Sequence, residues 1–255
     1  MIEIKNVSVG YENKTVLQDI HMKFLPGEIT VLVGPNGCGK STLLKSIVRI
    51  VSHSAGEILV DDISNQQISA KELAKKVAYL AQNKKAPDIS VMKMVLHGRF
   101  AHLSYPRKYR KQDMEIAWKA ICWAGLEAEA ETNVSKLSGG MQQKAYIAMS
   151  LAQDADTILM DEPTSYLDVV HQLRLMDMAK QLANEGKAVV MVLHDLTQAL
   201  QIADKIVVIK NGSILSQGTP EEVYEDKSLE MAFEVRVEKL QNQRGETVWH
   251  YSRFS

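Results

Sequence analysis

A glycine-rich run between an apolar segment and an amphipathic one constrains the fold of this chain more than any other feature. The run is Gly34-Pro35-Asn36-Gly37-Cys38-Gly39-Lys40-Ser41. It fits the pattern G-x-x-x-x-G-K-[ST], which needs a strand before it and a helix after it. The apolar residues 29–33 predict that strand, and residues 43–48 predict that helix. The sequence therefore predicts an α/β fold in which a glycine-rich loop joins a strand to a helix.

The chemistry of this loop indicates a polyphosphate ligand. Glycines let backbone N–H groups close around phosphate oxygens, and the helix N-terminus adds a partial positive charge. We expect Lys40 to reach the β- and γ-phosphates and Ser41 to offer its hydroxyl to Mg²⁺. The alternative is an ordinary glycine-rich turn, and the flanking strand and helix count against it.

The size and charge of the chain narrow the possibilities further. Its 255 residues suffice for one large domain or two small ones. The formal net charge of −1 provides no electrostatic argument for a nucleic-acid partner. The longest apolar run, residues 188–193, is too short to span a bilayer. Because Cys38 and Cys122 form no metal-ligand cluster, reduced thiols in a cytosolic compartment fit best.

Strand patterns occur on both sides of the loop. Alternating apolar residues predict strands over residues 2–9, with a slip between Ile4 and Val7, and over residues 20–24, with a turn at 12–14 between them. Further strands are predicted at residues 57–60, 77–80, 157–160, 188–193, 205–209 and 213–215, and a helix at 170–185. Asn211-Gly212 is a strong hairpin signal. We therefore predict a mostly parallel sheet with an N-terminal antiparallel β patch.

Residues 83–154 differ in their predicted secondary structure, because strand patterns are absent. Pro87, Pro106 and Gly125 separate helical stretches such as 112–124. This region predicts a helical insertion into the α/β core. It contains the strongest charge run of the chain, residues 105–111, for which a solvated loop is favoured over contact with anionic lipid or an acidic partner. The segment from about residue 225 onward is charged and only weakly patterned.

Two acidic residues end one of the predicted strands. Asp161, at the carboxyl end of residues 158–160, is expected to hold Mg²⁺, and Glu162 to orient or deprotonate a water molecule. Two solvated acids before Pro163 are the alternative. The glycine-rich loop favours the functional interpretation, because ligands of parallel sheets collect at the carboxyl ends of the strands.

A second anion-binding element is predicted at residues 137–143. Ser138 is placed to cap a helix, and Gly139 and Gly140 leave the first N–H groups of that helix accessible. Alone, this segment would indicate only a helix cap. Together with the glycine-rich loop, it indicates a second phosphate-binding surface on the same chain.

Taken in order, these motifs make the sequence resemble the nucleotide-binding subunit of ATP-binding cassette (ABC) transporters, which are P-loop NTPases. The motifs are the phosphate loop 34–41, the glutamine loop at Gln82, the signature 137–143, the Asp161-Glu162 strand, the aspartate loop 165–168 and the switch histidine His194. The resemblance covers residues 1–225, with an ATPase core of 1–82 and 155–225, an inserted helical subdomain of 83–154 and a C-terminal tail of 226–255. Met141 and Tyr166 depart from the family's usual residues, and neither carries an assigned chemical role.

The resemblance implies ATP and Mg²⁺ as cofactors. In one subunit, the residues expected to contact the phosphates are Gly34, Pro35, Asn36, Gly37, Cys38, Gly39, Lys40, Ser41 and Thr42. The expected metal ligands are Ser41, Gln82 and Asp161. Lys40, Gln82, Glu162 and His194 are expected to act in catalysis, with Glu162 as the general base and His194 in contact with the γ-phosphate. Tyr11 lies where the family stacks an aromatic ring on adenine. Singly, Tyr11 is equally a core aromatic, Gln82 a helix cap, and His194 a residue at a strand terminus.

The resemblance also implies partners. Two subunits would pair head to tail, so that Ser138, Gly139, Gly140 and residues near Asp168 meet the ATP of the other copy. Segments 91–102 and 164–172 resemble importers of ferric siderophores, haem and vitamin B12, although Lys93 and Met94 depart from that pattern and leave the cargo open. Such a homodimer would bind two integral membrane permeases at the cytoplasmic face, and an extracytoplasmic substrate-binding protein indirectly. A soluble ABC-type ATPase of repair or translation is the alternative, and the near-neutral charge and single cassette count against it.

Overall fold

The structure is a computed structural model, and it describes residues 1–11, 14–82, 85–245 and 247–253. Its elements in chain order are β1 (Ile2–Tyr11), β2 (Lys14–Phe24), β3 (Ile29–Val33), α1 (Lys40–Ile47), β4 (His53–Val60), β5 (Ile63–Ser64), α2 (Ala70–Lys76), β6 (Val77–Leu80), α3 (Val91–His97), α4 (Lys111–Ala124), α5 (Gly139–Ala152), β7 (Thr157–Asp161), α6 (Val169–Asn184), β8 (Ala188–Val192), α7 (Leu196–Ile202), β9 (Lys205–Lys210), β10 (Ser213–Gly218), α8 (Pro220–Glu225), α9 (Ser228–Phe233), β11 (Val235–Gln241) and β12 (Thr247–Arg253). Among these residues, no helix is long and apolar enough to cross a membrane.

The N-terminal sheet is antiparallel, as predicted, with the strand order β2-β1-β4-β5. The slip between Ile4 and Val7 is an irregularity in the pairing of β1 with β2, and Asn6 there has a φ of 51°. This irregularity lets Ile4 and Val7 both face the core although the spacing between them is odd. β2 begins earlier than predicted, at Lys14, because its first residues are exposed and show no alternation. Part of the turn predicted at 12–14 lies outside the described residues.

The second sheet is mostly parallel and positions the carboxyl ends of its strands along one edge. Its strand order is β10-β9-β3-β8-β7-β6, and β10 alone is antiparallel to its neighbour. β3, β7 and β8 are buried along their whole length, because helices or the other sheet cover both faces. The glycine-rich loop follows β3, while Asp161 ends β7 and His194 follows β8 closely. The predicted hairpin at Asn211-Gly212 joins β9 to β10, as expected.

The described residues between β6 and β7 form the helices α3, α4 and α5 joined by loops and contain no strand, as expected for a helical insertion. α3, α4 and α5 surround a core of their own, to which Val95, Ile121 and Ala148 contribute. A buried ion pair joins two of its segments, since Arg99 Nε lies 3.3 Å from Asp113 Oδ1 and Arg99 also donates to the Ala152 carbonyl. The basic run 105–111 is exposed, and the Arg107 guanidinium lies 4.8 Å from the centre of the Phe100 ring.

Several elements were not predicted from the sequence, namely β5, α2, α7, α8, α9, β11 and β12. α2 was not predicted, because its only buried residue, Leu73, produces no helical periodicity. The segment after residue 225 was predicted to be a weakly patterned tail. It forms α9 and the β11–β12 hairpin and packs into the main core through Val237 and Trp249. Its pattern is weak because each strand of this hairpin buries only one residue.

Candidate functional site

The glycine-rich loop adopts a backbone that only glycine tolerates at several positions. Gly34 has a φ of 153°, and a Cβ there would lie 2.1 Å from the Ile209 carbonyl oxygen. Gly39 has a φ of 110°, and a Cβ there would meet the Leu17 side chain at 2.4 Å. Gly37 has a φ of 78° but faces open space, with nothing within 4 Å of its would-be Cβ. The loop therefore packs closely against its neighbours at Gly34 and Gly39 and is open at Gly37.

The start of α1 is suited to an anion. Gly39 provides no side-chain cap for the N–H groups at the start of α1. The first turn of α1 also contains no acidic residue to offset the partial positive charge of the helix dipole. The Lys40 ammonium is buried in the loop, where it donates to the Gly34 carbonyl at 2.6 Å and to the Pro35 carbonyl at 3.0 Å. A phosphate oxygen would replace these neutral acceptors with a charged one. The residues present fit a polyphosphate.

Asp161 connects this loop to the neighbouring part of the sheet. Its carboxylate is buried and accepts hydrogen bonds from the Ser41 hydroxyl at 2.8 Å and from the Tyr79 hydroxyl at 3.2 Å. Burial raises the pKa of Asp161, and these two hydrogen bonds oppose that shift. Burial also raises the pKa of Tyr79, so its phenol stays protonated and donates. A carboxylate and a hydroxyl held together supply the oxygen ligands that Mg²⁺ prefers, and these residues fit such an ion.

Three further polar side chains converge on the same edge of the sheet. Gln82 follows β6, Glu162 follows Asp161, and His194 follows β8. The Gln82 amide donates to Glu162 Oε2 at 2.5 Å, and His194 Nε2 lies 2.5 Å from Glu162 Oε1. Glu162 itself has a φ of 52°, which turns the chain sharply after the strand.

Together with the loop, these side chains line a cleft of about 420 Å³. The lining residues are Val16, Asn36, Gly37, Gly39, Lys40, Ser41, Thr42, Gln82, Glu162 and His194. The structure thus brings together the loop and the three polar side chains that the sequence singled out separately. Such a cleft can bind a polyphosphate and place a carboxylate beside it.

The signature segment lies elsewhere. Ser138 caps α5 by accepting a hydrogen bond from the Met141 N–H at 3.4 Å, and both Ser138 and Gly139 are exposed. A Cβ on Gly140 would lie 3.0 Å from the Tyr166 carbonyl oxygen, so α5 begins against the aspartate loop. The described residues that line the cleft do not include Ser138, Gly139 or Gly140. An accessible helix N-terminus of the same chain is therefore left outside the cleft.

Asp168 and Tyr11 are also outside the cleft lining. Asp168 caps α6, where it accepts from the His171 N–H at 2.9 Å, and this hydrogen bond lowers its pKa. Tyr11 is 47% exposed at the end of β1. A neighbouring cavity of about 280 Å³ shares Val16, Asn36 and Gly37 with the cleft. Its lining residues are Lys14, Thr15, Val16, Pro35, Asn36, Gly37, Cys38, Asn211 and Gly212.

Sequence reasoning missed two residues of the site. Val16 lines both cavities, and Tyr79 donates to the buried Asp161. Val16 is one apolar residue in a strand from the other sheet, and Tyr79 is one aromatic residue in a predicted strand. Neither carries a local signal, because each reaches the site only through the packing of distant strands.

Comparisons with known proteins agree on one family. The sequence model described as ABC transporter matches residues 17–165. The chain is 38% identical over 239 residues to the petrobactin import ATP-binding protein FpuD of Bacillus anthracis, covering 93% of this chain and 88% of that protein. It is 37% identical over 234 residues to the ferric enterobactin transport ATP-binding protein FepC of Escherichia coli, covering 91% and 86%.

Solved structures give the same result for the fold. An ABC transporter in an inward-facing conformation superposes with a TM-score of 0.83 at 26% identity, covering all of this chain (100%) and 97% of that one. The ATP-binding cassette MJ0796, solved as a dimer in a post-hydrolysis state with ADP and phosphate, superposes with a TM-score of 0.77 at 27% identity. That match covers 86% of this chain and 99% of the cassette.

Proposed function

The chain belongs to the ABC transporter family, and we propose that it is the ATP-binding and hydrolysing subunit of an importer of ferric siderophores. One observation carries the enzymatic part of this proposal. The glycine-rich loop, the Ser41–Asp161 pair and the Gln82–Glu162–His194 cluster lie side by side at the carboxyl edge of one sheet. The cargo is proposed from relatives named for petrobactin and ferric enterobactin.

In this function, the loop from Gly34 to Thr42 binds the phosphates of ATP. Its N–H groups and the N-terminus of α1 attract the anion, and Lys40 exchanges the loop carbonyls for phosphate oxygens. We assign Ser41, Asp161 and Gln82 as the residues that hold Mg²⁺, and Tyr11 as the residue that contacts adenine. Bound Mg²⁺ supplies positive charge that offsets the charge developing on the β- and γ-phosphates.

Glu162 acts as the general base in this proposal. It lies next to the proposed metal ligand Asp161 and within hydrogen-bonding distance of both Gln82 and His194. In the described state, these two partners occupy both carboxylate oxygens. Each carboxylate oxygen can accept a second hydrogen bond, so a water molecule near the γ-phosphate can donate to Glu162 while Gln82 and His194 keep their contacts. These two contacts hold the Glu162 carboxylate beside the glycine-rich loop.

A homodimer completes the site. The exposed α5 N-terminus, with Ser138, Gly139 and Gly140, lies outside the cleft of its own chain, although its 14-residue helix is well suited to an anion. In a head-to-tail pair, this terminus and Asp168 of one copy face the ATP bound to the other. ATP then joins two positive helix ends, and hydrolysis removes that attraction. The dimeric form of the related cassette supports this arrangement.

The proposed membrane partners are two permease subunits, with a substrate-binding protein acting through them. A groove of about 360 Å³ lies between α2 of the core and the inserted helical region, and its lining includes Lys71, Phe100, Leu103 and Arg107. We propose that a permease segment docks there and holds the subunit at the cytoplasmic face of the membrane. Opening and closing of the ATPase dimer then moves the permease.

An uptake assay tests the function directly. A strain that lacks this protein is supplied with labelled ferric siderophore, haem or cobalamin, and is complemented with the wild-type chain or with Glu162→Gln. We expect uptake of ferric siderophore to return only with the wild-type chain. Restoration of haem or cobalamin uptake instead would replace the proposed cargo, and restoration of none would contradict the transport function.

A further inference from the structure

The short helix α7 begins immediately after His194. Asp195 caps it by accepting hydrogen bonds from the N–H groups of Thr197 at 2.8 Å and Gln198 at 3.1 Å. This cap joins the helix to the turn that carries His194, so a shift of α7 would also move that turn. A helix of seven residues is too short to be stable by itself, so its position depends on its neighbours.

The C-terminal hairpin holds α7 from one side. Trp249 on β12 is 5% exposed, and its backbone carbonyl accepts a hydrogen bond from the Thr197 hydroxyl at 3.1 Å. The Trp249 ring lies 5.0 Å from the Tyr224 ring, centre to centre, and the Lys239 ammonium lies 5.4 Å from its centre. Trp249 is thus held on several sides while it contacts the helix.

α7 is also connected to the aspartate loop through two glutamines, Gln198 on α7 and Gln172 on α6. The Gln198 amide donates to Gln172 Oε1 at 2.9 Å. The Gln172 amide in turn donates to the Leu167 carbonyl at 3.1 Å and to the Thr164 carbonyl at 3.4 Å. Residues 164–168 connect Glu162 to Asp168, the residue proposed to face the second subunit. α7 therefore joins the His194 turn to this loop.

We propose that the β11–β12 hairpin is a positioning element of the ATPase reaction, in which Trp249 fixes α7 and thereby the His194 turn and loop 164–168 together. Trp249 and Thr197 are positioning residues, because neither lines the cleft among the described residues. The consequence for catalysis rests on the function proposed above for His194 and Asp168. The structural claim, that Trp249 fixes α7, the His194 turn and loop 164–168, does not depend on that function. The structural claim and its catalytic consequence can therefore be tested separately.

Amide hydrogen exchange in the whole, nucleotide-free protein tests whether Trp249 fixes α7 and loop 164–168, and it does not depend on ATP hydrolysis. We expect Trp249→Ala to raise amide exchange at least about fivefold in residues 193–203 and 164–168, because local opening follows the loss of packing. Tyr251→Ala is the matched control, since Tyr251 is an aromatic residue of the same strand and is 43% exposed. We expect it to leave exchange in both segments unchanged. Unchanged exchange in Trp249→Ala overturns the proposal, as does an equal effect of Tyr251→Ala.

Steady-state ATP hydrolysis tests the consequence. We expect Trp249→Ala to lower kcat about tenfold with KM for ATP within about twofold of wild type, because misplaced catalytic groups affect turnover more than binding. Trp249→Phe keeps an aromatic ring against Tyr224 and should restore kcat to within about threefold of wild type. A parallel rise in KM, or no rescue by Trp249→Phe, contradicts positioning. If the wild-type chain does not hydrolyse ATP, the proposed function fails. Amide hydrogen exchange still tests whether Trp249 fixes α7 and loop 164–168.

Milder variants at two positions address the case in which Trp249→Ala does not fold. Thr197→Val keeps the side-chain volume but removes the hydroxyl that donates to Trp249, and it should raise exchange in residues 193–203 about twofold. Gln198→Leu removes the donor to Gln172, whereas Gln198→Lys keeps a donor. We expect faster exchange in residues 164–168 for the leucine variant alone. Wild-type exchange in both Thr197→Val and Gln198→Leu overturns the proposal.

Discussion

The Ser41 hydroxyl donates a hydrogen bond to the Asp161 carboxylate at 2.8 Å, across 120 positions of sequence. This contact connects the first turn of α1 to the end of β7. It brings together the two oxygen-bearing groups that we assign to the Mg²⁺ site.

Removal of the Ser41 hydroxyl is expected to weaken the response to Mg²⁺. Ser41→Ala should raise the Mg²⁺ concentration that gives half-maximal ATPase activity at least about tenfold, because one oxygen ligand is lost and Asp161 loses a donor. The measurement is a Mg²⁺ titration at saturating ATP. Ser46→Ala is the control, since the Ser46 hydroxyl in the same helix donates to the Leu43 carbonyl. An unchanged Mg²⁺ dependence in Ser41→Ala would remove Ser41 from the metal site.

Substitution of Glu162 is expected to separate binding from turnover. Glu162→Gln should bind ATP and form a stable dimer but lose at least about 10³-fold in kcat, because an amide cannot accept the proton of the attacking water. Nucleotide binding, size-exclusion chromatography and phosphate release are the measurements. Glu185→Gln, at the far end of α6, should behave like wild type. Phosphate release at the wild-type rate by Glu162→Gln would sink the assignment of the general base.

Mixing two inactive variants tests whether the signature acts on the other subunit. Lys40→Ala impairs the phosphate loop, and Gly139→Asp places a carboxylate at the α5 N-terminus. In a mixed dimer, one site combines an intact loop with an intact signature from the other chain. We expect equal mixtures to recover up to about a quarter of wild-type activity, because half of the dimers are mixed and each has one good site. No recovery on mixing would indicate that each site is complete within one chain.

The buried Asp113 carboxylate is expected to make stability depend on pH. Burial alone would raise the pKa of Asp113, but hydrogen bonds from the Arg110 N–H and from the Arg99 and Arg110 guanidinium groups lower it overall. A lowered pKa means that the ionised group stabilises the fold above the pKa of the unfolded state, about 3.9. That stabilisation is lost as the pH falls through the lower pKa of the folded state.

Thermal melting of Asp113→Asn measures this contribution. At pH 7, the variant should be less stable than wild type by about 1–3 kcal/mol, because the arginines lose a charged acceptor. The difference should shrink as the pH falls below about 4, because Asp113 then becomes protonated in the unfolded chain while the folded protein still holds it ionised. Asp177→Asn, an exposed residue of α6, should show neither effect. A difference that stays constant down to pH 3 would contradict the lowered pKa of Asp113.

Local sequence patterns were sufficient to predict those strands, helices and turns whose determining residues lie within a few positions of one another. The strand, loop and helix around residues 29–47 and the hairpin at Asn211-Gly212 are where the sequence predicts them, because turn chemistry and apolar periodicity act at short range. Lys40 was selected from the glycine-rich loop pattern and Glu162 from its place after a predicted strand, whereas the role of His194 came from the resemblance to ABC transporter subunits. The exposed first part of β2 and the helix α2 escaped prediction, because exposed residues follow no apolar pattern.

The sequence by itself determined which residues could bind a polyphosphate and in what order they occur along the chain. Tertiary structure alone decided that Gln82, Glu162 and His194 touch one another, since strand order in the sheet depends on long-range packing. It also decided that Val16 and Tyr79 reach the site and that the signature does not lie in the cleft of its own chain. The same packing turned the weakly patterned C-terminal segment into a hairpin against α7, because a single buried Trp249 carries that contact without any periodic signal.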